Sequence, residues 1–139
     1  MSKLTKSVLI RLARDKVAAA RALLDAGCYT DAYYIVGYAV ECALKAKIAD
    51  EFEAHTIPDK KRVLDIYVHD LGKLANLAGL VPALEKKCRA DPAFKQDWDI
   101  VRAWDSQSRY VDHSVEEAYA LFDSVDGASG VLAWILSFV

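Results

Sequence analysis

Apolar residues recur at steps of three and four positions along most of this chain, which is the spacing of helices with one buried face. No stretch of useful length alternates apolar and polar residues as a half-buried strand does. The pattern predicts helices over 6–26, 30–52, 71–77, 81–89, 92–104 and 115–136. We therefore predict an all-α fold, an up-down four-helix bundle with additional short helices, in a single domain spanning residues 1–139.

Local signals place the ends of these helices. Four polar residues are predicted to cap helix starts by accepting hydrogen bonds from free backbone amides: Thr30, Asp70, Asp91 and Ser114, the last in a capping box with Glu117. Gly27 and Gly79 stand where a residue in the left-handed conformation would end a helix. The apolar phase of the last helix continues through Gly127 and Gly130, and so one long helix is favoured over two.

The helix predicted over 30–52 has two distinct faces. One is an apolar stripe suited to a core, made of Ala32, Ile35, Val36, Ala39, Ala43 and Ala46. Beside it runs a stripe of rings and opposite charges, made of Tyr34, Tyr38, Glu41 and Lys45. Because solubility rarely requires such a stripe, we expect it to pack on a partner or to line a site. Glu41 and Lys45 also have the i,i+4 spacing of a simple ion pair, which would stabilise an exposed helix by about 0.3 kcal/mol.

Composition and charge limit the classes of function. The 139-residue chain is 54% apolar, enough to bury a core, and its net charge of −2 argues against a binder of duplex DNA. The basic residues within 60–62 and 86–89 are expected to be solvated. Three scattered cysteines, and an N-terminus without an apolar signal core, favour reduced thiols in a cytoplasmic protein. The most apolar tract, 131–139, is too short to cross a membrane.

Few residues carry a chemical signature. The chain has no phosphate-binding loop, nucleotide fingerprint or zinc spacing, and so we expect no cofactor and no metal. Arg109 and His113 stand just before the capping box, and an arginine that holds phosphate with a histidine that moves a proton is the minimum for metal-free RNA cleavage. The alternative is structural: Arg109 pairs with a carboxylate such as Glu41, and Tyr110 fills a gap between helices. We expect the segment around Arg109 to meet the helix over 30–52.

Three parts of the chain, in this order and spacing, resemble the HEPN domain, the higher-eukaryote and prokaryote nucleotide-binding helical bundle. Segment 27–34 leads into 39–45, Ala-Val-Glu-Cys-Ala-Leu-Lys, which is similar to the family's Glu-x-x-Leu-Lys helix. Segment 69–71 resembles the His-Asp-Leu at the start of the family's third helix. Segment 108–110, Ser-Arg-Tyr, precedes a Glu-Glu-Ala helix at 116–118. The resemblance covers most of the chain.

The resemblance implies a four- or five-helix bundle that is usually a homodimer with a cleft at its interface. Many members of the family sit beside a nucleotidyltransferase partner in bacterial or archaeal toxin–antitoxin pairs. Active members are metal-independent ribonucleases with four to six residues between an arginine and a histidine. Arg109 and His113 depart from that pattern, since three residues separate them.

We therefore expect a HEPN-like module that acts through dimerisation and through association with a partner protein, a nucleotide or RNA. The residues expected to bind are Tyr34, Tyr38, Glu41, Lys45 and Tyr110. The alternative is a metal-independent endoribonuclease toxin in which Arg109 clamps the phosphate and His113 acts as acid or base.

Overall fold

The computed structural model describes residues 4–139, and all regular secondary structure in this range is helical, which confirms the all-α prediction. The α-helices of this range are α1 (Lys6–Asp25), α2 (Tyr29–Ile48), α3 (Lys60–Ile66), α4 (Leu71–Leu77), α5 (Val81–Ala90), α6 (Pro92–Arg102), α7 (Val115–Asp126) and α8 (Val131–Leu136). Short 3₁₀ helices follow α2 at Ala49–Glu51 and join α6 to α7 at Ser106–Tyr110. No described helix has the length and apolarity needed to cross a lipid bilayer. The prediction about the N-terminus concerns in part residues 1–3, which lie outside this range.

The core is built around α2. This helix packs most extensively against α1 and also contacts α4, α7, α8 and the second 3₁₀ helix. Its predicted apolar stripe is buried, except that Ile35 at the edge is only partly covered. The large, fully buried side chains of the core include Trp104, Phe94, Leu24, Leu44, Leu71 and Leu121. The solvent-facing part of α2 is therefore narrow, and it includes members of the stripe of rings and charges.

A short turn joins α1 to α2. Gly27 has a φ of +78°, the left-handed conformation predicted for it. The prediction that Thr30 caps α2 is wrong, because the helix begins at Tyr29 and Cys28 occupies the cap position without a side-chain hydrogen bond. The Thr30 hydroxyl instead accepts a hydrogen bond of 2.9 Å from the backbone N–H of His113. The hydroxyl oxygen that was predicted to cap α2 therefore takes part in a tertiary hydrogen bond instead.

The other predicted capping residues and the stop at Gly79 are confirmed, whereas the helix predicted to reach residue 52 ends at Ile48 and a 3₁₀ helix follows it. Asp70 and Asp91 each accept a hydrogen bond from a backbone N–H in the first turn of α4 and α6. Ser114 and Glu117 form both hydrogen bonds of the capping box at the start of α7. Gly79 ends α4 with a φ of +73°.

The prediction of one long final helix is wrong, because α7 ends at Asp126 and α8 begins at Val131. Gly127 is extended, with a ψ of 158°, and Gly130 is the N-cap residue of α8, with a ψ of 171°. Apolar residues on both sides of the break are buried: Phe122, Val125, Leu132 and Ile135. The helical spacing of apolar residues therefore continues across the break, and so this spacing alone does not reveal that the helix is interrupted.

Replacing Gly130 with alanine is expected to lower the free energy of unfolding by about 1–3 kcal/mol. An added Cβ would lie 2.7 Å from the carbonyl oxygen of Val125 and 2.8 Å from that of Gly127, and neither backbone atom can move aside cheaply. Urea unfolding followed by circular dichroism measures the loss. Ser129→Ala, an exposed neighbour in the same break, is the matched control and should change stability by less than about 0.5 kcal/mol. A Gly130→Ala variant as stable as the parent would contradict this account.

Candidate functional site

The stripe of rings and charges on α2 lies between α1 on one side and the second 3₁₀ helix on the other. Tyr34 and Tyr38 are half-buried, with ring centroids 6.3 Å apart. The ammonium of Lys16, from α1, lies 5.9 Å from the centre of the Tyr38 ring, and the guanidinium of Arg109 lies 5.9 Å from that of Tyr34. We call the surface formed by Lys16, Tyr34, Tyr38, Arg109 and Tyr110 the tyrosine surface.

Arg109 is held at this surface by aromatic rings. Its guanidinium carbon is 4.8 Å from the centre of the Tyr110 ring, in addition to its contact with Tyr34. The Tyr110 hydroxyl, followed by that of Tyr34, raises the pKa of Arg109 above its ordinary value. No ion pair joins Arg109 to a carboxylate among residues 4–139. The side chain is exposed and permanently charged, and so it can accept an anionic ligand without first breaking an ion pair.

Local hydrogen bonds fix the backbone that carries Arg109. The Asp105 carboxylate caps the 3₁₀ helix by accepting from the N–H of Gln107 at 2.7 Å. The Ser108 hydroxyl donates to the Asp105 carbonyl oxygen at 2.7 Å, and Ser108 is itself buried. Sequence reasoning predicted an irregular segment here, but the short polar side chains organise it into a helical turn.

A buried tryptophan supports Tyr34 from beneath. The Trp104 ring stacks on it with a centroid distance of 5.9 Å and an interplanar angle of 27°. Trp104 is in turn packed against Gly37 of α2, which leaves room for the indole because it has no side chain. Burial raises the pKa of Tyr38, with Cys42, Glu41 and Tyr34 adding to the effect.

Glu41 belongs to the interior rather than to the tyrosine surface. The residue is only 2% exposed, and its two carboxylate oxygens face different partners. Oε2 accepts a hydrogen bond of 3.2 Å from the Lys45 ammonium, and Oε1 lies 2.9 Å from Nδ1 of His69. The alternative in which Arg109 pairs with Glu41 is therefore wrong. The contact between His69 and Glu41 was not predicted from the sequence, because the two residues are 28 positions apart and no spacing rule connects them.

His113 and Arg109 contact different rings of α2. The His113 ring stacks on Tyr33 at a centroid distance of 3.7 Å, whereas Arg109 contacts the next residue of α2, Tyr34. Successive residues of an α-helix point about 100° apart around its axis. Nδ1 lies 3.2 Å from a carboxylate oxygen of Glu117, and this contact is the largest cause of the lowered pKa of Glu117. Nε2 is buried without a hydrogen-bond partner, and so it is not presented to a ligand.

Among residues 4–139, neither the Cys42 thiol nor a metal-binding cluster adds a reactive group beside the tyrosine surface. Burial, helped by Glu41, raises the pKa of the Cys42 thiol to about 11, which makes it unreactive at neutral pH. Among residues 4–139, no group of three or more His, Cys, Asp or Glu residues is placed to hold a metal ion. A wide groove of about 550 Å³ lies between α4, α5 and α6, with Trp98 and Arg102 in its lining, and none of the predicted site residues lines it.

A scan of the chain against protein-family models, a search of curated proteins and a search of solved structures each found no match.

Proposed function

We propose that this chain is a HEPN-like up-down bundle that works as a homodimer and binds single-stranded RNA or a nucleotide through the tyrosine surface. The observation that carries the proposal is the position of Arg109, exposed, free of carboxylates and held against Tyr34 and Tyr110. A guanidinium binds phosphate, and tyrosine rings accept unstacked bases on their faces. A toxin–antitoxin pairing with a nucleotidyltransferase is part of the proposal and rests on the sequence resemblance alone.

The number of cations on the tyrosine surface sets the expected salt dependence. Arg109 and Lys16 both lie over tyrosine rings, and neither forms an ion pair within residues 4–139. Two phosphate contacts on a single strand give a slope of about −1.4 for log K against log salt, at roughly 0.7 per contact. This shallow slope fits a chain whose net charge is −2 and distinguishes local binding from a broad basic face.

The ribonuclease alternative has less support in the geometry. A general base must reach the proton that it removes, and the buried Nε2 and the contact of Nδ1 with Glu117 leave His113 poorly placed for that task. Cleavage of RNA in EDTA by the parent chain, with cyclic phosphate ends and loss of cleavage in His113→Ala, would favour the alternative.

Arg109→Ala is expected to weaken binding of a fluorescein-labelled single-stranded RNA by about tenfold or more, equivalent to about 1.4 kcal/mol. The variant removes both the phosphate contact and one face of the stacking site. Fluorescence anisotropy at about 50 and 200 mM salt measures affinity and slope together, with unlabelled ATP as a competitor.

Arg89→Ala is the matched control, because Arg89 is an exposed arginine on α5, away from the tyrosine surface. It should leave the RNA affinity within twofold of the parent, on the order of 0.4 kcal/mol. Equal losses in Arg109→Ala and Arg89→Ala, or no binding by the parent chain, would overturn the proposal.

A further inference from the structure

The groove between α4, α5 and α6 is separate from the tyrosine surface, because no residue of that surface lines it. Its volume of about 550 Å³ falls within the range of about 300–1,000 Å³ that is usual for small-molecule sites. Apolar side chains line part of it, among them Ala75, Val81 and Leu84. Burial, followed by Asp99, raises the pKa of the Cys88 thiol, which disfavours the reactive thiolate and leaves Cys88 as a further apolar lining group.

The three helices that form the groove are fixed relative to the backbone around them. Asp91 ends α5 and caps α6, where its carboxylate accepts from the N–H of Phe94 at 3.1 Å and lies 3.3 Å from the Lys87 ammonium. At the start of α4, the Asp70 carboxylate accepts from the N–H of Lys73 at 2.8 Å. A groove with fixed walls binds a ligand without a large cost in conformational entropy.

A nearly buried tryptophan offers the groove a hydrogen-bond donor. Trp98 lines the groove and is only 7% exposed. No side-chain hydrogen bond within residues 4–139 uses its indole N–H, and the buried polar atoms that lack a partner in this range are Trp104 Nε1 and His113 Nε2. The N–H of Trp98 therefore keeps some contact with solvent. A buried indole usually has a partner for its N–H, and here the groove leaves room for a ligand to supply it.

Arg102 stands beside this donor. It follows Trp98 by four residues on α6, so the two side chains share a face of the helix, and both line the groove. Arg102 is exposed and forms no ion pair with a carboxylate in the described part of the chain. A planar guanidinium next to an N–H donor is suited to hold a carboxylate.

The opposite wall supplies an acceptor. Glu85 of α5 lines the groove and has no ion pair in the described range 4–139. The other two carboxylates of the lining are engaged, since Asp99 pairs with Lys95 at 2.9 Å and Asp70 caps α4. The lining holds three acidic and three basic side chains, and this balance favours a ligand that carries both charges over a polyanion.

We propose that this groove binds a small zwitterion with an apolar body, the chemistry of apolar amino acids and short peptides. The ligand carboxylate accepts from the indole N–H of Trp98 and from Arg102, and the ligand ammonium faces Glu85. Its apolar side chains lie on the apolar lining between the two walls. The inference goes beyond the proposed function and does not depend on it.

Isothermal titration calorimetry with matched ligands tests the ligand class. The probes are free leucine, free phenylalanine and the dipeptide leucyl-phenylalanine, which distinguish an amino acid from a peptide as the source of the zwitterion. At least one should bind the parent chain with a dissociation constant below about 1 mM. N-acetylation or C-terminal amidation of that ligand, each of which removes one charge, should weaken binding by about fivefold or more.

Three variants test the assigned residues. Arg102→Ala should weaken binding by about tenfold, because it removes a charge-assisted contact with the carboxylate. Glu85→Gln should abolish the difference between the free and the N-acetylated ligand, since that difference arises from the pair of Glu85 with the ammonium. Trp98→Phe keeps an apolar ring but loses the N–H, and should weaken binding by about threefold or more. Arg102 and Glu85 are exposed, so these two variants should keep the fold, which circular dichroism verifies.

Arg89→Ala is the matched control, because Arg89 is an exposed arginine of α5 outside the groove lining, and it should bind the ligand within about twofold of the parent. The proposal is overturned if the parent binds none of the three probes, if the blocked ligands bind as well as the free one, or if Arg102→Ala binds like Arg89→Ala. A parent chain that binds a zwitterion but no RNA supports the groove and overturns only the tyrosine surface. A parent that binds RNA but no zwitterion does the reverse.

Discussion

Replacing Glu41 with alanine is expected to lower the free energy of unfolding by about 3 kcal/mol. The variant removes a buried carboxylate and leaves a cavity in α2, and it deprives the Lys45 ammonium and the His69 ring of their shared acceptor. Because both partners retain some contact with water, the loss stays near the lower end of the range for a broken buried pair. Chemical denaturation followed by circular dichroism gives the value.

Two variants identify the source of that loss. Glu41→Gln keeps the volume and one acceptor oxygen, and it should cost less than Glu41→Ala. His69→Ala removes the more exposed partner and should cost about 1 kcal/mol. If His69→Ala proves more damaging than Glu41→Ala, the carboxylate is not the centre of this arrangement.

Gly37→Ala is expected to destabilise the fold by about 2 kcal/mol, although alanine is the better helix former by about 1 kcal/mol. The added Cβ would fall on the indole ring of Trp104, which is buried and stacked on Tyr34 and so cannot move without disturbing its neighbours. The same movement should weaken the proposed binding of RNA at the tyrosine surface. Equilibrium unfolding and fluorescence anisotropy measure the two effects.

Gly72→Ala in α4 is the matched control for this substitution. Its added Cβ would meet only a carboxylate oxygen of Asp70, at 3.3 Å, and so stability should change by less than about 1 kcal/mol. Gly37→Ala combined with Trp104→Phe should cost less than the sum of the two single substitutions, since the smaller ring leaves space for the methyl group. A Gly37→Ala variant as stable as the parent would show that the indole can shift freely.

Local chemistry predicted much of the fold. Three predicted caps bond to backbone amides within three residues, namely Asp70, Asp91 and the capping box at Ser114. Because these contacts are local, the neighbouring sequence is enough to predict them. The role of Thr30 was missed because it depends on His113, which is 83 residues away in sequence. The break at 127–130 was missed because the apolar spacing continues on both sides of it. The prediction that a single domain covers the whole chain stays a prediction.

The candidate site was predicted in part. The expected meeting of Arg109 with α2 is confirmed by its contact with Tyr34, because spacing along α2 selects one face of a helix reliably. Spacing does not tell how deeply a residue on that face is buried, and so Glu41 was placed beside the tyrosines rather than beneath them. Lys16 comes from another helix, and only packing brings it to Tyr38.

The hydrogen bond between Thr30 and the backbone of His113 has a thermodynamic consequence for Arg109. It anchors one end of the connection between α6 and α7 to α2, while the Asp105 cap and the buried Trp104 anchor the other end. A segment tethered at both ends is pre-organised and loses less conformational entropy when it captures a ligand. Severing the tether with Thr30→Val should therefore weaken the proposed binding at the tyrosine surface even though Thr30 lies outside it.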